Sequence, residues 1–294
     1  MQESKPIGLH QVLMWIIGNR NELNILKMNE NKEMGTAVVT GASSGLGEVF
    51  AERLAERGYN LKLVARRKDR LDALAEKLES KYGIKVTNLV ADLGSDSELE
   101  KVAENLRSDN SITLLINNAG TSTLSSISST SVAKQKEMVN VNVTALMVLS
   151  HAVLPGFIEK NTGILINIAS VLGFYTLPIS AVYSGTKGFV VQYTQGLQEE
   201  VKGTNVQVQL VNPATTATEI WEVGGVPLSA LEQSTIMTTE DCVDAILSGL
   251  DKGEQVTHPS VHDQKLIDNY EDARIKLFQG SQHGQPAERY ITQA

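Results

Sequence analysis

A tyrosine and a lysine four residues apart carry the most reactive chemistry in this sequence. Tyr183 and Lys187 stand in the segment YSGTK, and this spacing places both side chains on one face of a helix. A free phenol has a pKa of about 10, too high for efficient proton transfer near neutral pH. A neighbouring ammonium stabilises the phenolate and lowers that pKa. The pair therefore predicts a proton donor, although the same spacing also occurs in ordinary surface pairs.

Three other polar segments accompany this pair. Ser170 ends the segment NIAS after a predicted strand, where its hydroxyl can hold a substrate oxygen beside Tyr183. The segment NNAG (Asn117–Gly120) ends another predicted strand, and Asn142 lies inside a long predicted helix. Open α/β sheets bind their ligands at the carboxyl ends of strands, so all of these residues except Asn142 point to one site.

A glycine-rich turn follows the first predicted strand in the segment TGASSGLG (Thr40–Gly47). Gly41 permits a tight turn, Gly45 lets the backbone approach a pyrophosphate, and Gly47 permits close packing of helix on sheet. Free N–H groups and the helix dipole favour an anion there. A glycine triad alone is weak evidence, but its place in a βαβ series predicts a dinucleotide site.

The end of the second predicted strand bears on the choice of cofactor. It reads Val64, Ala65, Arg66, Arg67, Lys68 and carries no carboxylate to bind a free ribose 2′-hydroxyl. Cations at this place fit a 2′-phosphate, which arginine binds with paired hydrogen bonds. We therefore predict NADP(H) rather than NAD(H), with Arg66 as the favoured contact. The alternative is a solvated basic start to the next helix.

Strands and helices must alternate to position these groups, and the apolar patterning predicts that they do. Six strands, two of them at 36–40 and 206–211, alternate with helices, which implies a parallel sheet buried on both faces. We predict a doubly wound, three-layer αβα sheet in one domain over residues 35–294, ending in a short strand and a helix. The long helix at 131–159 is expected to be interrupted or to end near Pro155.

Residues 1–34 stand apart from this alternation. Apolar residues between Leu9 and Ile17 have the spacing of a short amphipathic helix. The segment is interpreted as a loosely attached extension, as an upstream start that is not normally translated because Met28 and Met34 can also initiate, or as a docking element for a partner or membrane surface.

With its motifs in this order, the chain resembles the short-chain dehydrogenase/reductase family over about residues 34–255. The resemblance implies a doubly wound Rossmann fold and a nicotinamide cofactor. The cofactor contacts that it implies, together with those predicted above, are Gly41, Ser43, Ser44, Gly45, Leu46, Gly47, Arg66, Arg67, Asp92, Leu93, Asn118, Ala119, Gly120, Tyr183, Lys187, Pro213 and Thr218. The residues that match the catalytic tetrad of the family are Asn142, Ser170, Tyr183 and Lys187.

The resemblance also implies a mechanism. In reduction, hydride passes from the nicotinamide to the carbonyl carbon while Tyr183 donates a proton to the oxygen. Ser170 hydrogen-bonds that oxygen and stabilises the developing charge. Lys187 lowers the pKa of Tyr183 and binds the nicotinamide ribose, and Asn142 helps to hold a water that links Lys187 to solvent. The alternative is a catalytically silent NADP(H) sensor or scaffold, which the intact tetrad disfavours.

One segment departs from the family pattern. Where the family often has Pro-Gly, this chain has Pro213-Ala214, although Thr218 still occupies the position that meets the nicotinamide carboxamide. The following loop, about 214–238, is expected to bind the substrate. Its apolar residues, with Phe174, Tyr175 and Leu177, favour an apolar ketone, aldehyde or 3-oxoacyl compound over a sugar; the alternative is that they only pack the loop.

Composition limits the remaining classes of function. A net charge of −8 disfavours nucleic acid and anionic membranes as partners. The single cysteine, Cys242, precludes an intrachain disulfide and fits a reducing compartment, so we expect a cytoplasmic protein. The scattered histidines predict no metal site, and no apolar run approaches the roughly 20 residues of a membrane span. By resemblance, the chain is expected to form a homodimer or homotetramer through the helices at 131–159 and 181–201.

Overall fold

A seven-stranded parallel sheet forms the centre of the protein, whose computed structural model describes residues 34–291. The strands are Thr36–Thr40 (β1), Asn60–Ala65 (β2), Val86–Val90 (β3), Ile112–Asn117 (β4), Gly163–Ile168 (β5), Val206–Val211 (β6) and Val256–Thr257 (β7). Their order is β3-β2-β1-β4-β5-β6-β7, and every neighbouring pair is parallel. The winding direction reverses between β1 and β4, which opens a crevice at their carboxyl ends.

Helices cover both faces of this sheet, as the sequence predicted. They are Gly45–Glu56 (α1), Lys68–Tyr82 (α2), Asp96–Ser108 (α3), Val132–Val139 (α4), Leu146–Glu159 (α5), Ala181–Glu200 (α6), Ile220–Val223 (α7), Thr239–Asp251 (α8) and Gln264–Gly280 (α9). Alternate residues of β1 enter different cores: Ala37 and Val39 pack with α1, α2 and α8, whereas Val38 packs with α3, α5 and α6. This confirms the three-layer αβα fold. The predicted N-terminal amphipathic helix lies outside the described residues.

The long predicted helix is interrupted, but not at the proline. A π-helical segment, Asn140–Ala145, separates α4 from α5, while Pro155 lies inside α5. The expectation of an end near Pro155 is therefore wrong. A helical proline removes one backbone hydrogen bond, and here the buried side chains of Leu154 and Phe157 hold α5 against the core on both sides of it. The interruption instead falls at Asn142, as is common for π segments at functional sites.

Contrary to the expectation that no apolar run approaches the length of a membrane span, the helical region Val132–Glu159 is long and apolar enough to cross a bilayer by length and composition alone. An 18-residue window within this region has a mean hydropathy of 1.7, and half of the window is buried inside the fold. Packing of Leu149 and Val153 in the core beneath the sheet accounts for much of this apolar composition. In contrast to this half-buried helical region, α9 has no buried residue and exposes the apolar side chains of Leu277 and Phe278.

Candidate active site

The turn between β1 and α1 can be built only from glycine at its closest approaches. Gly41 and Gly45 have φ angles of +68° and +57°, in the left-handed region that favours glycine. A Cβ on Gly47 would lie 2.2 Å from the carbonyl oxygen of Gly41 and 2.7 Å from Nδ2 of Asn118. The predicted close packing at Gly47 is thus against the turn itself and the β4 end. This turn leaves room for a pyrophosphate where larger side chains would intrude.

Thr40 joins the glycine turn to the segment after β4. Its Oγ1 accepts hydrogen bonds from the backbone N–H groups of Asn118 and Ala119, both at 2.9 Å. Nδ2 of Asn118 donates as well, to the carbonyl oxygen of Thr40, also at 2.9 Å. Sequence reasoning assigned no role to Thr40, although a threonine as the last residue of β1 was a usable signal. These bonds fix both walls of the crevice at the place where the strand order reverses.

Two arginines at the end of β2 line the crevice, and their engagement differs. The guanidinium of Arg67 donates to the hydroxyls of Ser43 at 2.9 Å and Ser44 at 2.6 Å, both in the glycine turn. Arg66 also lines the crevice and is exposed. Within residues 34–291 its side chain makes no hydrogen bond or ion pair. A guanidinium in this position is available to an anionic group on the ligand.

Ser170, Tyr183 and Lys187 meet at the other end of the crevice. Ser170 lies two residues after the end of β5, whereas Tyr183 and Lys187 lie in the first two turns of α6. The Lys187 side chain is buried, with its Nζ donating to the carbonyl oxygen of Ile168 at 2.8 Å and lying 5.8 Å from the centre of the Tyr183 ring. Oγ of Ser170 accepts from the N–H of Leu172 at 3.1 Å. The predicted pair does share one helix face beside a hydroxyl.

Burial dominates the ionisation of this group in the free protein. It raises the pKa of the Tyr183 phenol to about 12, against a smaller opposing effect of the hydrogen bond with Ser170. It also lowers the pKa of Lys187 to about 8. The expected lowering of the Tyr183 pKa is therefore not seen in the free protein, because desolvation of the phenol outweighs the contacts that favour the phenolate. The phenol therefore keeps its proton at neutral pH in the free protein.

Asn142 lies behind this group, in the π-helical segment. Its amide N–H groups donate to the carbonyl oxygen of Thr121 at 2.9 Å and to Oγ1 of Thr186 at 3.1 Å. Its Oδ1 accepts from the N–H of Thr121 at 2.8 Å. Both donors are thus used, and the side chain ties the segment after β4 to α6. A relay water held by this side chain would have to donate to Oδ1.

A single cleft of about 410 Å³ contains nearly all of the predicted site residues. Gly47 and Asn142 are the exceptions, and both lie just behind the cleft wall. Leu177 lines the cleft as expected, whereas Phe174 packs instead against His258 and Tyr270, with ring centres 5.7 Å apart in each case. The cleft runs from a glycine turn and free arginine to a phenol and an ammonium, and these residues fit a nicotinamide dinucleotide.

Comparison with known proteins agrees with this geometry. The family model of the short chain dehydrogenases matches residues 35–224. The chain is 40% identical to a short-chain dehydrogenase from Sphingobium yanoikuyae solved in complex with NADPH, with a TM-score of 0.85 over 88% of this chain and 100% of that one. It is 35% identical to the bulky-bulky ketone specific alcohol dehydrogenase from Comamonas testosteroni, with a TM-score of 0.81 over 89% and 100% of the two chains.

Among curated proteins, the chain is similar to very-long-chain 3-oxoacyl-CoA reductases. It is 30% identical to reductase-B of Danio rerio over 73% of this chain and 68% of that protein. It is 32% identical to the human enzyme, of which it spans 61%. Fold, cleft and comparisons together define an oxidoreductase that uses a nicotinamide dinucleotide. The chain belongs to the short-chain dehydrogenase family.

Proposed function

We propose that this protein is an NADP(H)-dependent reductase of ketones with apolar substituents, 3-oxoacyl compounds included. The observation that carries the proposal is the cleft itself. One end presents the Ser170 and Tyr183 hydroxyls, and the other presents the glycine turn and Arg66. Apolar side chains wall the space between them; they include Leu124, Val141, Val171, Leu172, Leu177, Ile220, Trp221 and Val223.

The proposed mechanism assigns each polar side chain one task. The bound nicotinamide supplies the hydride chemistry. Tyr183, which is protonated at neutral pH, donates its phenolic proton to the carbonyl oxygen. Ser170 donates a hydrogen bond to the same oxygen and stabilises its developing charge. The Lys187 ammonium, buried beside Tyr183, stabilises the phenolate left behind, and Asn142 positions the surrounding backbone.

The preference for the phosphorylated cofactor is supported by the end of β2. No carboxylate stands there to bind a free 2′-hydroxyl, and Arg66 faces the cleft without a partner among the described residues. The similar Sphingobium yanoikuyae enzyme was solved with NADPH. Arg66 would bind the 2′-phosphate, with Arg67 beside it.

The substrate class is supported by the apolar cleft walls and by the names of two groups of relatives. One is specific for bulky-bulky ketones, and the others reduce very-long-chain 3-oxoacyl-CoA. In both kinds of substrate the ketone carries at least one large substituent, which in a 3-oxoacyl thioester is the apolar acyl chain. Nothing in these comparisons favours the catalytically silent alternative.

Turnover of a substrate panel tests the proposal directly. NADPH consumption would be followed with bulky aryl ketones, 3-oxoacyl thioesters, short aldehydes and an aldose. We expect turnover of the first two classes. In Tyr183→Phe the turnover rate should fall by about 10³-fold, because the phenolic proton is removed. The matched control is Tyr175→Phe, which removes an exposed hydroxyl outside the cleft lining. NADPH binding without turnover of any carbonyl would contradict the proposal.

A second substitution tests the cofactor preference. Arg66→Asp places a carboxylate where a 2′-phosphate would bind, so the ratio of the Kd for NADH to that for NADPH should fall by about tenfold or more. Fluorescence titration with both cofactors measures this ratio. An unchanged ratio would count against Arg66 as the residue that reads the phosphate.

We also propose assembly into a homodimer or homotetramer and a cytoplasmic location. Met147 on α5 and Phe189 on α6 are exposed apolar side chains on the helices expected to pair. Light scattering of the purified protein tests the assembly. Co-sedimentation with vesicles, for the full chain and for a chain lacking residues 1–33, tests whether it binds a membrane instead.

A further inference from the structure

The substrate loop crosses the cleft and is attached on both sides of it. On the side of β4, Oγ of Ser122 donates to the carbonyl oxygen of Ile220 at 3.3 Å, and the N–H of Leu124 donates to that of Gly224 at 3.1 Å. On the side of the glycine turn, Thr218 lies against Gly45. A Cβ added to Gly45 would lie 3.1 Å from the methyl group of Thr218. The segment 218–224 therefore spans the mouth of the cofactor crevice.

An ion-pair cluster completes the attachment on the glycine-turn side. Oε2 of Glu219 lies 2.7 Å from Nη1 of Arg67, and its Oε1 lies 2.7 Å from Nη1 of Arg70. Each carboxylate oxygen thus has its own guanidinium. Because Arg67 also binds the hydroxyls of Ser43 and Ser44, the substrate loop, α2 and the glycine turn are joined in one network. Neither the resemblance nor the mechanism assigns a task to Glu219 or Arg70.

We propose that Glu219 is a clasp, which closes the substrate loop over the bound cofactor through Arg67 and Arg70 and opens when the cofactor exchanges. A ligand lying between the glycine turn and Lys187 passes beneath the segment 218–224, so it is retained while both sides of the segment are attached. The proposal depends on the nicotinamide cofactor that this family uses and not on the proposed substrate.

The geometry suits a clasp that must open repeatedly. The side chains of Glu219, Arg67 and Arg70 are 48%, 39% and 46% exposed, so water can solvate the charges as they separate. A 2′-phosphate that engages Arg67 leaves the bond between Glu219 and Arg70 in place, because the two arginines bind different oxygens of the carboxylate. Closure is therefore compatible with either form of the cofactor.

Cofactor release from the full-length protein tests the clasp without any turnover. NADPH and NADH would be displaced by excess oxidised cofactor in a stopped-flow instrument, with nicotinamide fluorescence as the signal. In Glu219→Gln, we expect both dissociation rates to rise about two- to fivefold, because partly exposed ion pairs contribute little free energy. The matched control is Glu222→Gln, in the short helix α7 that directly follows Glu219; its carboxylate is exposed, outside the cleft lining and unpaired among the described residues.

A double-substitution cycle separates the clasp from a general charge effect. Arg70→Gln alone should raise both rates, and adding it to Glu219→Gln should raise them no further than the larger single effect. Hydrogen exchange of residues 216–224 without cofactor should be faster in Glu219→Gln than in Glu222→Gln. Rates in Glu219→Gln equal to the wild type, or effects of the two substitutions that multiply, would overturn the proposal. Neither readout requires a substrate, so failure of the proposed substrate class leaves it standing.

Discussion

The two walls of the cleft are held by different kinds of contact. At the cofactor edge, Thr40 and Asn118 join β1 to β4 by hydrogen bonds of 2.9 Å, and Asn117 on β4 donates to Asn167 on β5 at the same distance. All of these groups are buried or nearly so. The substrate loop instead consists of short helical turns with mostly exposed side chains and is closed by the ion pairs of Glu219.

Under the proposed function, this difference separates the part of the site that holds the reaction from the part that would select its substrate. Buried hydrogen bonds between strands leave one arrangement, which keeps cofactor and phenol at a fixed distance. Loops attached by a few exposed contacts can change shape at little cost in folding stability. Substitutions at the cofactor edge should therefore destabilise the fold, whereas those in the loop should alter binding and leave stability nearly unchanged.

The largest expected effect is at the glycine turn. Gly47→Ala puts a Cβ 2.2 Å from the backbone oxygen of Gly41, so the turn must shift. We expect a loss of about 3 kcal/mol in the free energy of unfolding and loss of cofactor binding, measured by denaturant titration and fluorescence. The control is Gly196→Ala, at an exposed position of α6 with open space around it. Equal stability of the two variants would show that the cofactor edge is not rigid.

Most of the cofactor edge was predictable because its signals are local. The turn is indicated by three glycines within seven residues, Gly41, Gly45 and Gly47. The strand before it is a short run rich in β-branched residues. The contact between Arg67 and Glu219 joins residues 152 positions apart, and no local pattern indicates it. The π-helical segment around Asn142 has no composition of its own, and Phe174 leaves the cleft because two aromatic partners, His258 and Tyr270, lie elsewhere in the fold.

A less exposed ion pair at the end of α3 provides the sharpest contrast with the pairs of Glu219. Lys62 on β2 lies 2.7 Å from Asp109 after α3, and their side chains are 11% and 26% exposed. Burial raises the pKa of Asp109, but its hydrogen bonds with Lys62 and Ser111 together outweigh burial and hold that pKa at about 2. Two arginines likewise hold the pKa of Glu219 at about 2. Similar pKa values need not mean similar contributions to stability, because solvent screens the exposed pairs of Glu219.

Asp109→Asn should therefore lower the free energy of unfolding at pH 7 by about 1–2 kcal/mol, and Glu219→Gln should change it by less than about 0.5 kcal/mol. The folded-state pKa of Asp109 is depressed, so its contribution is complete above its ordinary pKa of 3.8 and is lost as the pH falls towards about 2. Urea titrations at pH 7 and across this acidic window measure both effects. Equal losses in the two variants would contradict the distinction between the regions.

A smaller effect is expected in the pH dependence of reduction. Lys187 has a pKa lowered to about 8 by burial, so it loses its charge as the pH rises through that value, while Tyr183 keeps its proton up to about 12. The single-turnover rate of ketone reduction should fall above about pH 8 with a limiting slope of about tenfold per pH unit. Glu219→Gln should show the same decline, because Glu219 is already ionised across this range. A rate that stays constant to about pH 9.5 would show that the charge of Lys187 is not required.

The smallest expected effect lies in the substrate loop. It tests the comparison at the wall of the cleft that is held by exposed contacts. Nε1 of Trp221 donates to the carbonyl oxygen of Thr216 at 2.9 Å, and the indole lines the cleft. Trp221→Phe keeps an apolar ring but removes this bond, so the loop should relax and the KM for a bulky ketone should rise about two- to fivefold. The cofactor Kd and the urea midpoint should remain those of the wild type, because no buried contact between strands is lost. A fall in stability as large as that of Asp109→Asn would mean that the loop is part of the folded core, and the selection of substrate would then have to be sought in a rigid cleft.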